Sequence, residues 1–140
     1  MYERIIVPTD GSEAAARAVE QGIGQATAHG ADLVFLAVVE MSGGAAPETR
    51  AGAVIEERRT AQQEEVSSLV DQAAAAGVDA EGVVKVGIPS RVIVEQAATR
   101  GADLVVMSTA ARSGVGRFLY GSVTEQVIRD GDTPVLAIQR

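Results

Sequence analysis

Five short apolar runs, separated by longer segments with helical periodicity, constrain the fold of this 140-residue chain more than any other feature. The runs are rich in β-branched residues and nearly uninterrupted, which is typical of strands that are buried on both faces of a sheet. The third run is the least continuous because it contains Lys85, and we expect it at a sheet edge. The runs span residues 5–8, 33–39, 83–86, 104–107 and 134–138.

The intervening segments predict four helices, over residues 12–29, about 47–76, 89–100 and 122–130. Ser12 offers an N-cap for the first helix, and Gly30, directly after His29, offers its C-cap. Pro89 suits the first turn of the third helix. A charged run over residues 56–65 is the expected solvated face of the second helix. The residues expected to face the core are Ala15, Val19, Ile23, Ala26, Val54, Val66, Leu69, Ala73, Ile93, Ala97, Val123, Val127 and Ile128.

Regular alternation of strands and helices predicts one α/β domain over residues 1–140, with right-handed crossovers and a parallel sheet. We expect an open, five-stranded, Rossmann-like sheet in the order 3-2-1-4-5, with helices on both faces. Gly-Ala-Asp occurs at residues 30–32 and again at 101–103, which indicates two helix-to-strand turns of the same design.

Composition excludes several kinds of chemistry. The chain has no cysteine, so disulfides, zinc-thiolate sites, iron-sulfur clusters and cysteine nucleophiles cannot form. It has one histidine, His29, which rules out a His-rich metal site. Its one lysine, Lys85, lies in a strand-like run and not in a phosphate-binding loop, which excludes a Walker-type nucleotidase. Any phosphate must therefore be bound by backbone amides, hydroxyls or arginine.

The formal charge of −7 disfavours nucleic acid and anionic membrane surfaces as partners. Abundant alanine, arginine and acid indicate a GC-rich genome, a halophilic host, or both. No apolar stretch has the length of a membrane span, and no secretory pattern opens the chain, so we expect a cytoplasmic protein.

A ligand site is expected where the strand order reverses, between the carboxyl ends of strands 1 and 4. Strand 1 runs into Pro8-Thr9-Asp10-Gly11-Ser12, and strand 4 into an unusually long connection. Residues 104–124 contain no acid but include Arg112 and Arg117. They end at Gly121-Ser122, where a helix should begin, which together favours an anion site. The alternative is that Ser122 is only an N-cap and the arginines are solvated.

The sequence also resembles the universal stress protein family along its whole length. The segments that carry the resemblance are Ile-Ile-Val-Pro-Thr-Asp-Gly-Ser at 5–12, Gly-Ala-Asp-Leu-Val-Val-Met at 101–107, Arg-Ser-Gly at 112–114, Leu-Tyr-Gly-Ser-Val-Thr-Glu at 119–125 and Thr-Pro-Val-Leu at 133–136. The resemblance implies an α/β domain of the predicted strand order. It also implies a homodimer formed through the last strand, residues 134–138.

One branch of that family binds ATP through Gly-x-x-Gly, nine residues, then Gly-Ser/Thr. Here the spacing is intact, but Ser108 and Ala111 replace the first two glycines. The resemblance implies that Asp10 meets the adenine or ribose and that the Val38 backbone contacts the base. It further implies that Gly121, Ser122 and Val123 hold phosphates, with Mg²⁺ as a candidate companion ion. The remaining residues of the predicted site are Pro8, Thr9, Met107, Arg112 and Thr124.

The two glycine replacements leave two functions open. If Ala111 must adopt left-handed geometry, the strain of about 1–2 kcal/mol weakens nucleotide affinity roughly tenfold. If its Cβ occupies the phosphate path, binding fails. Ser108 is less disruptive, because its hydroxyl can donate to a phosphate or ribose oxygen. The chain is therefore either a homodimeric stress-response regulator that binds ATP or a related adenine nucleotide, or a dimeric interaction module without nucleotide.

Enzymatic activity is the weaker interpretation. The long connection offers no Walker lysine, acidic residue or histidine to activate water, so ATP hydrolysis should at most be slow. A small hydrolase or transferase is disfavoured because general acid–base groups are scarce at the expected site.

Overall fold

The structure of the protein, a computed structural model, describes residues 1–40, 50–109 and 120–139. Every predicted strand and helix forms, with bounds that differ from the expected ones by a few residues. The elements in chain order are β1 Arg4–Thr9, α1 Glu13–His29, β2 Asp32–Glu40, α2 Arg50–Ala75, β3 Ala80–Gly87, α3 Pro89–Thr99, β4 Leu104–Ser108, α4 Tyr120–Asp130 and β5 Val135–Ile138.

The five strands form one parallel sheet in the order β3-β2-β1-β4-β5, which confirms the predicted α/β architecture. The outer strands β3 and β5 are only partly buried, whereas β4 is buried throughout. β3 therefore lies at an edge, as its interrupted apolar run predicts. The reversal of strand order falls between β1 and β4.

Two apolar clusters cover the two faces of the sheet. Successive residues of β2 alternate between them: Leu33 and Phe35 join one cluster, and Val34 and Leu36 the other. The first cluster includes α1 and α2 residues such as Val19, whereas the second contains the buried residues of α3 and α4. Because both faces of each central strand are covered, its sequence reads as a continuous apolar run.

Three helix-to-strand turns share one design. Gly30 and Gly101 have positive φ angles of 66° and 65°, and Gly77 has 79°. In each turn the residue after glycine donates its N–H to a carbonyl five positions back, with N···O distances of 2.9–3.0 Å. This arrangement satisfies the last carbonyls of the helix and requires a residue that tolerates left-handed backbone. The third turn, Gly-Val-Asp at 77–79, extends the pair that the sequence predicts.

Asp103 adds a side-chain clamp to the last of these turns. Its carboxylate accepts hydrogen bonds from the Glu3 amide at 2.8 Å and the Arg4 amide at 3.1 Å. The Asp103 amide in turn donates to the Arg4 carbonyl at 2.9 Å. The first residues of β1 are therefore tied to the start of β4, almost 100 residues later in the chain.

Two residues expected in the core are exposed instead. Val54 is 40% exposed, because α2 is longer than the strands on which it packs: 26 residues of helix span about 39 Å, against about 30 Å for the nine residues of β2. Ile128 is 55% exposed. It follows the buried Val127 by one position, a rotation of about 100° around the helix, and so faces away from the sheet.

Candidate functional site

The pairing of β1 with β4 stops short of the carboxyl edge of the sheet, and the space between the two strand ends is called the crevice below. The recorded pairing of these two strands ends at Ile6 and Val105. β1 nevertheless stays paired with β2 up to Thr9, and β4 stays paired with β5 up to Ser108. Pro8, in the part of β1 that has no pairing partner on the β4 side, has no backbone N–H to donate. The end of β1 is thus held by β2 and the end of β4 by β5, and the space between the two ends lies at the predicted switch point.

The β1 side of the crevice is a compact polar turn. The Asp10 carboxylate accepts a hydrogen bond from the Ser12 amide at 2.9 Å, and the Thr9 hydroxyl accepts one from the Gly11 amide at 3.2 Å. The Ser12 hydroxyl accepts from the Ala15 amide at 3.1 Å, which confirms Ser12 as the N-cap of α1. Because the Ser12 hydroxyl already accepts the Ala15 amide, the N-terminus of α1 has fewer free amides that could bind a ligand.

Only one oxygen of the Asp10 carboxylate takes part in this turn. The Ser12 amide bonds to Oδ1, and no hydrogen bond to Oδ2 is recorded within residues 1–40, 50–109 and 120–139. Asp10 is half-buried, in contrast to Thr9, which is 2% exposed. One carboxylate oxygen of Asp10 therefore stays available to accept a hydrogen bond from a hydroxyl or amino group.

The β4 side is tied together by hydroxyl groups. Thr124 of α4 donates its hydroxyl to the Ser108 carbonyl at 3.0 Å, and each residue is 2% exposed. The Thr109 amide donates to the Ile138 carbonyl of β5 at 2.9 Å. The end of β4 is thus anchored both to the first turns of α4 and to the neighbouring strand.

The N-terminus of α4 lies beside this anchored end of β4. The helix begins at Tyr120, two residues before the predicted start, so Ser122 is its third residue and the alternative that Ser122 is its N-cap does not hold. Its side chain is exposed. In the sequence α4 follows Leu119, which has no side-chain acceptor for the first amides of the helix. Those amides, and the positive end of the helix dipole, suit an anion.

The structure places the remaining predicted site residues as follows. Pro8, Val38 and Met107 are buried, with Val38 and Met107 in the core cluster packed under α3 and α4, so they can face a ligand only through their backbone. Val123 is 7% exposed. Gly121 lies in the first turn of α4. Ala111 and Arg112 lie outside the described residues.

Two residues of α2 lie closer to this edge than their charged surroundings predict. Glu65 is half-buried, and its Cδ is 4.0 Å from the position that a Cβ on Gly11 would occupy. Gln62, one turn earlier, has a buried Oε1 without a hydrogen-bond partner in the described parts of the chain. Helical spacing from the buried Val66 and Leu69 places both on the inner stripe of α2, which the charge pattern obscures.

A separate cavity of about 510 Å³ lies at the opposite, amino edge of the sheet. Its arginines are already engaged: Arg4 donates to the Arg100 carbonyl at 2.7 Å, and Arg100 pairs with Glu81 at 2.8 Å and bonds to Gln96 at 2.8 Å. Both arginines therefore already have hydrogen-bond partners within the chain. Its lining residues are Arg4, Asp32, Leu33, Val34, Asp79, Ala80, Glu81, Thr99 and Arg100.

Two other kinds of site are missing from the described residues. No group of three or more histidine, aspartate or glutamate side chains is close enough there to hold a metal ion. No helix in residues 1–40, 50–109 and 120–139 is both long and apolar enough to cross a membrane.

The fold defines an α/β protein with an open parallel sheet whose strand order reverses between β1 and β4. The chain belongs to the universal stress protein family, whose family model matches residues 1–139. It is 32% identical over 142 residues to universal stress protein MJ0531 of Methanocaldococcus jannaschii, and the match covers 100% of this chain and 84% of that protein.

Solved structures of this family show the same architecture. Universal stress protein UspA from Lactobacillus plantarum superposes with a TM-score of 0.85 at 24% identity, covering 98% of this chain and 97% of that one. A universal stress protein crystallised in complex with cAMP superposes with a TM-score of 0.76 at 30% identity, with coverage of 98% and 97%. The predicted strand order and the family assignment are therefore confirmed.

Proposed function

We propose that this protein binds ATP or a related adenine nucleotide in the crevice between β1 and β4, and acts as a nucleotide-responsive regulator in stress. The observation that carries the proposal is the crevice itself, with Asp10 at one wall and the N-terminus of α4 at the other. The relative that is 30% identical and holds cAMP supports the same class of ligand.

Charge along the crevice suggests an orientation for the nucleotide. Asp10 lies on the β1 side, where Glu65 also approaches Gly11. On the other side lie β4 and the start of α4, and the sequence from residue 104 to residue 124 contains no acid. Carboxylates attract the hydroxyl and amino donors of ribose and adenine, whereas helix amides attract phosphate oxygens. We therefore place the nucleoside towards Asp10 and the phosphates towards Ser122.

The backbone of Ser108 supports nucleotide binding despite the missing glycine. Ser108 is the last residue of β4, and no non-glycine residue in the described parts of the chain has a positive φ angle. A glycine is therefore not needed at this position for backbone conformation. The replacement that decides between the two candidate functions is Ala111.

The second candidate function, a dimeric interaction module without nucleotide, is favoured by the loss of both early glycines in the motif. The two functions share the proposed homodimer. Within the described residues, β5 is paired on one side only, with β4, and each of its residues is half-buried. A second copy that pairs along β5 would cover this edge. Sedimentation of the purified protein tests the dimer independently of nucleotide.

Titration calorimetry of the wild-type protein with Mg-ATP, in buffers of low and high salt, tests the proposed function. Binding in the micromolar range is expected, and adenosine should bind more weakly because it lacks the phosphates. Heat-extracting freshly purified protein and measuring adenine absorbance shows whether nucleotide copurifies. Absence of binding at millimolar ATP in both salts contradicts the proposal and leaves the interaction module. Any ATP hydrolysis should be slow, because the chain has no Walker lysine.

A further inference from the structure

The threonines of the helices do not use their hydroxyl groups in the same way. Thr27 of α1 donates to the Ile23 carbonyl at 2.8 Å, and Thr60 of α2 donates to the Glu56 carbonyl at 3.0 Å. These are bonds within one helix, four residues back, and both are exposed. Thr124 instead donates across to the Ser108 carbonyl of β4 at 3.0 Å, at a buried position.

This bond joins the two elements that form the phosphate end of the crevice. Ser108 closes β4, whose pairing with β5 continues to that residue. Thr124 lies two residues after Ser122, in the next turn of α4. Breaking the bond would leave the buried Thr124 hydroxyl without its acceptor, so the bond resists any shift of α4 away from β4. Its hydroxyl is 2% exposed and already donating, which argues against direct contact with a ligand.

We propose that Thr124 is a positioning residue: its buried hydroxyl fixes the first turns of α4 against the end of β4, and this sets the affinity of the protein for the phosphates of its ligand. The inference rests on the proposed nucleotide function and deepens it. In the sequence analysis Thr124 is a predicted ligand contact, whereas here its role is to hold α4 in position against β4. Helix amides bind a phosphate tightly only where they are already held in place, because ordering them on binding costs free energy and so weakens the affinity.

The test compares Thr124→Val, which keeps the shape but removes the donor, with Thr124→Ser, which keeps the donor. Calorimetry measures the dissociation constants of Mg-ATP and adenosine for each variant. Thr124→Val should weaken ATP binding about tenfold and adenosine binding less than about threefold, because the bond acts on the phosphate end. Thr124→Ser should restore ATP affinity. Thr27→Val, which removes a threonine-to-carbonyl bond at the far end of α1, is the matched control and should change neither constant.

Hydrogen exchange gives a second measurement that needs no ligand. The amides of the first turns of α4 should exchange faster in Thr124→Val than in wild type, while those of α1 are unchanged. Thr124→Ala, which leaves space for water at the Ser108 carbonyl, is the alternative variant if the valine variant does not fold, and the same selective loss is expected.

Equal weakening of ATP and adenosine, or no effect on either, overturns the inference, because a merely structural bond would not discriminate between them. Unchanged exchange in α4 overturns the positioning role by itself. If the wild-type protein binds neither ATP nor adenosine, both the proposed nucleotide function and the proposed effect of Thr124 on phosphate affinity are contradicted. In that case faster exchange in Thr124→Val still identifies the bond as a structural tie between α4 and β4.

Discussion

The two edges of the sheet are built by different means. At the amino edge, three turns with glycine at positions 30, 77 and 101 repeat one backbone pattern, and each is defined by a few consecutive residues. At the carboxyl edge, the contacts come from side chains, as in the bonds of Asp10 to Ser12 and of Thr124 to Ser108. Backbone turns and the Asp103 clamp close the first edge, whereas side-chain hydrogen bonds order the turn after β1 and the start of α4 at the second edge.

The difference between the two edges suggests that the amino edge contributes mainly to stability and the carboxyl edge mainly to the proposed binding. At the amino edge, Arg100 is paired with Glu81, and the Asp103 clamp holds the start of β1. At the carboxyl edge, one oxygen of Asp10 has no hydrogen-bond partner in the described parts of the chain, and Thr124 ties α4 to the end of β4. Substitutions at the amino edge should therefore change only the free energy of unfolding, whereas substitution of Asp10 at the carboxyl edge should also change nucleotide affinity.

The largest effect is expected for Asp10→Ala. Loss of the carboxylate that we place at the ribose or adenine should weaken ATP binding about 100-fold, since a hydrogen bond to a charged group contributes up to about 3 kcal/mol. Removing the Asp10–Ser12 bond should lower the free energy of unfolding by only about 1 kcal/mol. Calorimetric titration and denaturant unfolding measure the two quantities.

Ser12→Ala is the matched control for Asp10→Ala. It removes the N-cap bond to Ala15 in the same turn and should lower stability by a similar amount, about 1 kcal/mol, with little effect on ATP. Equal weakening of ATP binding by the two variants would mean that Asp10 acts through the turn and not on the nucleotide.

Asp103→Ala tests the amino edge. The variant loses the acceptor for the Glu3 and Arg4 amides. The free energy of unfolding should fall by about 1.5 kcal/mol. This value is at the lower end of the range for hydrogen bonds to charged groups, because the site is partly solvated. Affinity for ATP should stay within about twofold of wild type. Denaturant titration gives the stability change.

Asp32→Ala is the control for Asp103→Ala. Asp32 occupies the same position in the turn after Gly30, but no hydrogen bond to its carboxylate is recorded in the described parts of the chain. Its removal should leave stability within about 0.5 kcal/mol of wild type. A strong effect of Asp103→Ala on ATP affinity would show that the two edges are not independent.

Ala111→Gly tests the degraded half of the nucleotide motif. If the lost backbone freedom at this position limits binding, the variant should bind ATP roughly tenfold more tightly, which corresponds to about 1.4 kcal/mol. Thermal melting in the absence of ligand should change little. Unchanged or weaker affinity in calorimetry would reject the proposal that this position limits binding and would favour the interaction module.

The smallest effects are expected for two glycines near the end of α1. Gly30→Ala should destabilise the protein by about 1 kcal/mol, because φ is positive at this position although a Cβ would meet nothing within 4 Å. Gly24→Ala, inside the helix and with equally open space, should stabilise by up to about 1 kcal/mol. Changes of the same sign in chemical unfolding would contradict this interpretation of the amino-edge turns.

Much of the fold is predictable from the sequence because its rules act over short distances. The β-branched runs define the strands, Ser12 and Pro89 mark helix starts, and Gly30 marks a helix end. The same reasoning fails at Val54 and Ile128, which are apolar and close to the helical stripe but exposed. Their burial depends on the length of the sheet below α2 and on the narrow contact face of α4, which local patterns do not contain.

The site divides in the same way. The sequence by itself determined the switch point, the acid-free segment from 104 to 124 and the N-cap at Ser12, because topology rules and local composition suffice for them. Only the tertiary structure decided that β1 and β4 part after Ile6 and Val105, that Glu65 approaches Gly11, and that Thr124 bonds to Ser108. These contacts join residues that are distant in the chain, and such contacts arise only when whole elements pack together.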